Sequence, residues 1–322
     1  MTLHIGIVAG EASGDILGSR LLASLESRFG DVKAEGIGGP LMQAQGFNSL
    51  YPMERLSVMG LVEPLMRLPE LLRMRGALYR HFVDNPPDLF LGIDAPDFNL
   101  RLEMKLRRQA IKTAHLVSPS IWAWRRGRVA KIGRAVDLML CLFPFETDVY
   151  RQHGVPAEYV GHPLADEIPS YSDRDDARRA LQLSQGGTLV ALLPGSRASE
   201  VRLLAPLFLE TALLMWRRDP NLSFIMPAAS EACHAQLLQL LVARPGLPVT
   251  LVHGRSREAM AAADAVLLAS GTATLEALLL KRPMVMAYRM AALSWAIVSR
   301  LVTTEFGALP NILAGRRLVP EL

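Results

Sequence analysis

The chain has 322 residues, 50% of them hydrophobic and 20% charged, which is ample for packed cores and more than one ordinary α/β unit needs. That balance argues against disorder, and a formal net charge of +4 falls short of the concentrated basic stripe expected of a nucleic-acid binder. Two cysteines far apart, Cys141 and Cys233, without C-x-x-C spacing, argue against a disulfide framework or a zinc site. Both are expected to be buried and inert in a reducing cytosol.

No basic segment precedes the first apolar run, and Glu11 breaks it, so residues 5–9 read as a strand rather than a signal peptide. Apolar, β-branched runs then predict strands at 89–93, 113–117 and 138–142 and, after a break, at 189–193, 223–226, 249–252, 265–268 and 284–287. Helical spacing lies between them, as in Leu17, Leu21, Leu22 and Leu25, and again in Leu203, Leu204, Leu207, Leu213 and Leu214. Residues 290–302 are the closest approach to a membrane span, but Arg289 and Arg300 bracket them and a buried amphipathic helix is the plainer reading. The protein is expected to be soluble. Strands alternating with helices imply parallel sheets with crossover helices. The pattern breaks at GHPLADEIPSYSDRDDAR, residues 161–178, where proline, glycine and charge replace apolar residues. This predicts an α/β chain of two Rossmann-like domains, 1–165 and 166–322, with mainly parallel sheets facing a cleft.

In such folds ligands bind at the carboxyl ends of strands, so the strand-to-helix loops are the informative stretches. GIVAGEASGD, residues 6–15, has the strand, turn and helix order of a phosphate cradle, with Gly10 and Gly14, but lacks G-x-G-x-x-G. Its Glu11 and Asp15 would repel a diphosphate, so this loop, Ser13 included, is expected to face another ligand. LGIDAPDFNLRLE, residues 91–103, places Asp94 and Asp97 in a proline-interrupted turn before Asn99 opens a helix. Asp94 reads as a turn cap, and Asp97 as a candidate general base for a sugar hydroxyl. HLVSPSIWAWRRGR, residues 115–128, joins His115, Ser118 and Ser120 to an amphipathic wall of Trp122 and Trp124. Its basic run, Arg125, Arg126, Arg128, Lys131 and Arg134, suits a lipid phosphate or anionic membrane, or else a solvated helix face.

In the second half, LLPGSRASEV offers an anion the N–H groups, hydroxyl and guanidinium of Gly195, Ser196 and Arg197, unless these merely cap a helix. LLASGTATLEALL adds Ser270, Gly271, Thr272 and Thr274, with Glu276 placed to accept from vicinal ribose hydroxyls. Two anion-ready loops assign the diphosphate nucleotide to the second domain.

Taken in order, GEASGD, GIDAPDFN, VSPSIWAWR, LPGSR, ASGTATLE and LPN, from residue 8 to about 321, resemble the lipid-A-disaccharide synthase family, inverting glycosyltransferases of the two-Rossmann GT-B fold. The resemblance implies transfer of 2,3-diacylglucosamine from UDP-2,3-diacylglucosamine to the 6-hydroxyl of 2,3-diacylglucosamine 1-phosphate (lipid X), giving UDP and the β-1,6 lipid A disaccharide 1-phosphate. It implies that Asp97 is the essential aspartate and that Ser196, Arg197, Glu276 and Asn311 lie on the UDP side, joined there by Gly195, Ser270, Gly271 and Thr272. Glu11, Ser13, Asp15, Asn99, His115 and Ser118 are expected on the acceptor side. Acylated substrates call for an apolar surface. Leu65, Met66, Leu68, Leu71, Leu72 and Met74, interleaved with Arg67, Arg73 and Arg75, suit an anionic membrane interface, a buried core helix being the other reading.

No cofactor, metal or nucleic acid is expected, since Arg197 and helix N-termini can meet the charge on departing UDP. The resemblance implies a cytoplasmic protein, peripheral on the inner face of the bacterial inner membrane, and allows a homodimer. The chain ends at GRRLVPEL, whereas the resemblance implies further C-terminal helices that pack back on the first domain. Two other readings compete. A UDP-N-acetylglucosamine epimerase or similar UDP-sugar enzyme would act without a lipid acceptor, and a noncatalytic nucleotide- or lipid-binding protein would tolerate Asp97→Ala.

Overall fold

LHIGIVA, Leu3–Ala9, is buried without interruption from Ile5, the mark of a parallel strand covered by helices on both faces. It is β1 of the computed structural model, which describes residues 2–56, 63–119, 121, 126–289 and 304–322. The chain divides into two compact units, Met1–His162 and Pro163–Leu322.

The first unit runs β1, α1 (Ala12–Phe29), β2 (Val32–Ile37), α2 (Pro40–Ala44), β3 (Asn48–Ser49), α3 (Glu63–Asp84), β4 (Leu89–Ile93), α4 (Pro96–Arg107) and β5 (Thr113–Leu116). It continues through α5 (Val129–Ala135), β6 (Leu138–Cys141), α6 (Pro144–Arg151) and β7 (Ala157–Tyr159). The strands form one parallel seven-stranded sheet in the order β3-β2-β1-β4-β5-β6-β7. Alternation along the strands fills two layers. Ile5, Ile7, Leu91 and Ile93 pack with Leu22 of α1, whereas Val8 and Phe90 pack with Leu78 and Phe82 of α3 and Leu102 of α4.

The second unit contains α7 (Leu164–Glu167), α8 (Arg174–Ala180), β8 (Thr188–Leu193), α9 (Ala198–Arg218), β9 (Leu222–Ala228) and α10 (Glu231–Val242). β10 (Val249–His253), α11 (Ser256–Ala262), β11 (Ala265–Leu268), α12 (Thr272–Leu279), β12 (Met284–Met286) and α13 (Leu309–Ala314) follow. Its five-stranded parallel sheet has the order β10-β9-β8-β11-β12. Val190, Leu192, Phe224 and Met226 pack against Val201, Leu204 and Phe208 of α9.

In both sheets the chain winds outward in one direction and then the other, so strand order reverses between β1 and β4 and between β8 and β11. A crevice opens beyond the carboxyl ends of the two strands at such a reversal. These are the ends that carry Glu11 and Asp97 in the first unit and Arg197 and Ser270 in the second. At the first, the chains come so close that a Cβ on Gly10 would lie 2.5 Å from that of Ala95, which requires glycine there.

The apolar stripe expected at a membrane is divided. Met74 belongs to the core beside Leu78, a correction to its expected acyl contact, and Leu71 packs partly against the same cluster. Leu68 and Leu72 are exposed, while the side chains of Leu65 and Met66 lie outside the described residues. Among the described residues no helix is long and apolar enough to cross a membrane; residues 290–302 are not among them.

Cys141 and Cys233 are both buried. Burial, with Glu146 nearby, pushes the Cys141 thiol up to about 12. Neither cysteine should react with iodoacetamide in mildly alkaline native buffer, and both should react once the chain is unfolded. Alkylation of the native protein at Cys141, read by mass spectrometry, would contradict this.

Candidate active site

The strand ends of the second unit enclose a cavity of about 460 Å³, a size suited to a small ligand. Gly195, Ser196 and Arg197 after β8 line it on one side, and Ser270, Gly271, Thr272 and Glu276 on the other. Seven of the eight residues expected on the UDP side lie here, and Asn311 does not.

The two loops differ in how far their donors are already used. The first N–H groups of α12 have no intrahelical acceptor and carry the positive end of the helix dipole. Thr274 Oγ1 donates to the Gly271 carbonyl at 2.8 Å, which holds that turn in shape. At the other loop the Glu200 carboxylate accepts from the N–H groups of Ser196 and Arg197 at 3.2 and 3.4 Å and from the Arg197 guanidinium at 3.0 Å. Gly195 has φ of +123°, and a Cβ there would stand 2.5 Å from Glu200 Oε2. The loop is therefore shaped around an anion, and its own carboxylate occupies it. A diphosphate must compete with Glu200 at this loop but not at α12.

Glu276 is held by a residue the sequence reading missed. Arg257 of α11 donates to it at 2.9 Å and to Glu167 of α7 at 2.8 Å, so the carboxylate is fixed in one orientation. Asn311 has another task. Its Nδ2 donates to the Val319 carbonyl and to Glu321, and its Oδ1 accepts from the N–H groups of Leu318 and Val319. Those four bonds fill its capacity and tie down the segment beyond α13, which corrects its expected place on the UDP side.

In the first unit the turn after β4 places Asp94 and Ala95 in the left-handed region, with φ of 54° and 44°. Asp94 Oδ1 accepts from the Ala95 N–H at 2.8 Å, as a turn cap does. Asp97 follows in the first turn of α4, its side chain 81% exposed and ion-paired with Arg128. Glu11 and Ser13, at the start of α1, are also exposed.

The other four residues expected on the acceptor side are consumed inside the fold. Asp15 accepts from the N–H groups of Gly39, Leu41 and Met42 at 2.9 to 3.0 Å and so caps α2. Asn99 donates to the carbonyls of Val8 and Asp94 at 3.0 and 2.8 Å, stapling the ends of β1 and β4 together. His115 is fully buried, with Nδ1 2.7 Å from Glu103, whose carboxyl burial pushes above its ordinary range. Ser118 Oγ meets the Tyr150 hydroxyl at 2.8 Å under the surface. Each had the chemistry of a ligand contact, but a folded chain must also satisfy its buried polar groups. Ser120, Trp122, Trp124 and Arg125 lie outside the described residues.

Two parallel α/β units, each with polar loops at a point of strand reversal, have the GT-B fold. Solved structures of this fold include an S. aureus MnaA–UDP co-structure, with TM-score 0.62 at 10% identity over 98% of this chain and 87% of that one. A UDP-GlcNAc 2-epimerase from Neisseria meningitidis bound to UDP-GlcNAc gives TM-score 0.60 at 12% identity, over 98% and 90%. The sequence is more specific than the fold. The family profile of lipid-A-disaccharide synthetase matches residues 5–322. Lipid-A-disaccharide synthases from Saccharophagus degradans and Pseudomonas aeruginosa are each 57% identical over 99% of this chain, covering 83% and 85% of their own lengths. That from Hahella chejuensis is 55% identical over 99% of this chain and 81% of its own. The chain belongs to the lipid-A-disaccharide synthetase family, and it is a glycosyltransferase.

Proposed function

We propose that the protein transfers 2,3-diacylglucosamine from its UDP derivative to the 6-hydroxyl of 2,3-diacylglucosamine 1-phosphate, with inversion, giving UDP and the β-1,6 disaccharide 1-phosphate. The observation that carries this is the identity to lipid-A-disaccharide synthases across 99% of the chain. The epimerase structures share the fold at 10 to 12% identity, too little to favour their activity.

UDP is assigned to the second unit, its diphosphate at the N-terminus of α12 and Arg197, its ribose at Glu276 held by Arg257. As the bond from C1 to the β-phosphate oxygen breaks, negative charge gathers on UDP, where these donors stabilise it. The acceptor O6 forms the new bond to C1 on the opposite face and gives its proton to Asp97 of the first unit. Glu11 and Ser13 are left as contacts for acceptor hydroxyls, and exposed Leu68 and Leu72 for acyl chains or an anionic membrane surface. With acylated substrates, we assign the protein to the cytoplasmic face of the inner membrane as a peripheral enzyme.

The test is incubation with UDP-diacylglucosamine and the phosphorylated acceptor, with mass spectrometry of the lipid product. Disaccharide 1-phosphate is expected, and an epimerised UDP-sugar or no turnover would replace the proposal. The nucleotide assignment has its own check. Arg197→Ala should weaken UDP binding by about 1.5 kcal/mol, the low end for a charge-assisted bond, because Arg197 shares its charge with Glu200. Glu276→Ala should act on the ribose and leave Arg257 with Glu167 alone. Unchanged UDP affinity in both variants by calorimetry would move the donor elsewhere.

A further inference from the structure

Between α4 and α5 the first unit has a second cavity, of about 430 Å³, with an apolar floor and a cationic rim. Leu100, Met104 and Ile132 supply the floor. Arg101, Arg108, Arg128, Lys131 and Arg134 stand around it, and Asp97 is the one carboxylate among the described lining residues. Asp97 neutralises Arg128 alone. Arg101, Arg108, Lys131 and Arg134 have no ion pair among the described residues.

The pattern works against the local structure that carries it. Arg128, just before α5, and Lys131 and Arg134 within it recur at three-residue spacing, and Arg101 of α4 and Arg108, just past its end, are seven apart. Like charges at helical neighbour spacing repel and destabilise a helix. Solvation alone asks for no such gathering of four uncompensated cations over apolar side chains. A ligand that brings a phosphate dianion together with hydrocarbon satisfies both halves of the cavity, since guanidinium groups bind phosphate oxygens in pairs.

We propose that this cavity binds the phosphate of the sugar acceptor, with Arg101, Arg108, Lys131 and Arg134 as its cations. The acceptor's identity rests on the function proposed above, whereas the anion chemistry does not. A phosphate seated on this rim holds the acceptor in the cavity that Asp97 also lines, so one site supplies both the anchor and the base. The four cations act on binding and take no part in the displacement. A phospholipid headgroup offers similar chemistry from a different source, so the test has to separate the two.

Full-length protein is studied in neutral detergent micelles free of phospholipid, with diacylglucosamine 1-phosphate and with the same sugar lacking its phosphate. Wild type should bind the phosphorylated sugar at least about tenfold tighter. Arg108→Ala/Lys131→Ala should raise the dissociation constant and KM for that acceptor about tenfold, with kcat and UDP affinity kept and the dephosphorylated sugar unaffected. Arg108→Lys/Lys131→Arg, which keeps both charges but moves the guanidinium, should recover most of the loss. Equal loss for both sugars, or no loss, overturns the proposal. It is also overturned if the alanine variant loses only its binding to phosphatidylglycerol vesicles, which would assign the cations to the membrane. Disaccharide formation by wild type in the same micelles reports separately on the function. Phosphate-selective binding without product would remove the proposed reaction and keep the phosphate site; product without selectivity would remove the site alone.

Discussion

Replacing Asp97 by asparagine is expected to lower kcat by about 10²- to 10⁴-fold with UDP affinity nearly intact. A neutral alcohol is a weak nucleophile, and a single inverting displacement needs its proton accepted as the bond to UDP breaks. Asparagine keeps the shape of the side chain and removes the basic oxygen. The fold should not notice the change, because the carboxylate is exposed and its pair with Arg128 is a surface contact worth about 0 to 1 kcal/mol. Of the residues expected on the acceptor side, His115 and Glu11 could also accept that proton. His115 is excluded by its burial against Glu103, which leaves Glu11, exposed at the start of α1 across the strand reversal. Single-turnover kinetics and UDP calorimetry on Asp97→Asn and Glu11→Gln separate the outcomes. Loss of UDP binding in step with rate would make Asp97 a donor contact, and near-normal turnover would transfer the role to Glu11.

The sequence reveals those parts of this protein whose cause is local. β4 and β8 read as strands because nearly every residue in them is buried, so the apolar run is continuous. β2 escapes notice because VKAEGI carries Lys33 and Glu35. Glu35 is buried, and burial pushes its carboxyl up, but His4, His81 and Lys33 surround it and bring it below its ordinary range. A charge satisfied from three other positions looks, in one dimension, like a solvent-facing one. β3 and β7 are two and three residues long, too short for any period to register.

The same distinction runs through the site. Gly195 to Arg197 and Ser270 to Thr272 are legible because a strand end, a glycine and a helix start are neighbours in the chain. Arg257 is not, since its partners Glu276 and Glu167 lie 19 and 90 residues away. The opposite error concerns Asp15, Asn99 and His115. Their types and positions fit a ligand contact, but whether a polar side chain meets a ligand or a buried backbone group is decided by packing that no motif records.

Arg178→Ala is expected to destabilise the second unit by about 3 kcal/mol, the low end for removing one partner of a buried ion pair, since Asp264 is a quarter exposed and keeps Arg174. Arg178 of α8 is 1% exposed and donates to Asp264 at 2.7 Å, to the Ala262 carbonyl at 3.0 Å and to those of Gln185 and Gly187 at 3.2 Å. Alanine removes the charge, four bonds and the packed aliphatic stem together. Asp264, just before β11, also accepts from the Leu189 N–H at 2.8 Å and from Arg174. Burial pushes its carboxyl up, but the Leu189 bond and the two guanidinium groups outweigh that and hold it below the ordinary carboxylate range. The native state therefore binds fewer protons here than the unfolded chain does, so Asp264 stabilises the fold above its unfolded pKa and ceases to as pH falls through the folded one. The stability of wild type against urea should fall on acidification below about pH 4, and Asp264→Asn should start less stable and lose that part of the acid slope. UDP shifts the transition only where the second unit holds the nucleotide, which identifies the unit being followed. Equal acid slopes in wild type and Asp264→Asn, or an Arg178→Ala cost under about 1 kcal/mol, would show that the pair is solvated rather than holding α8 to the sheet.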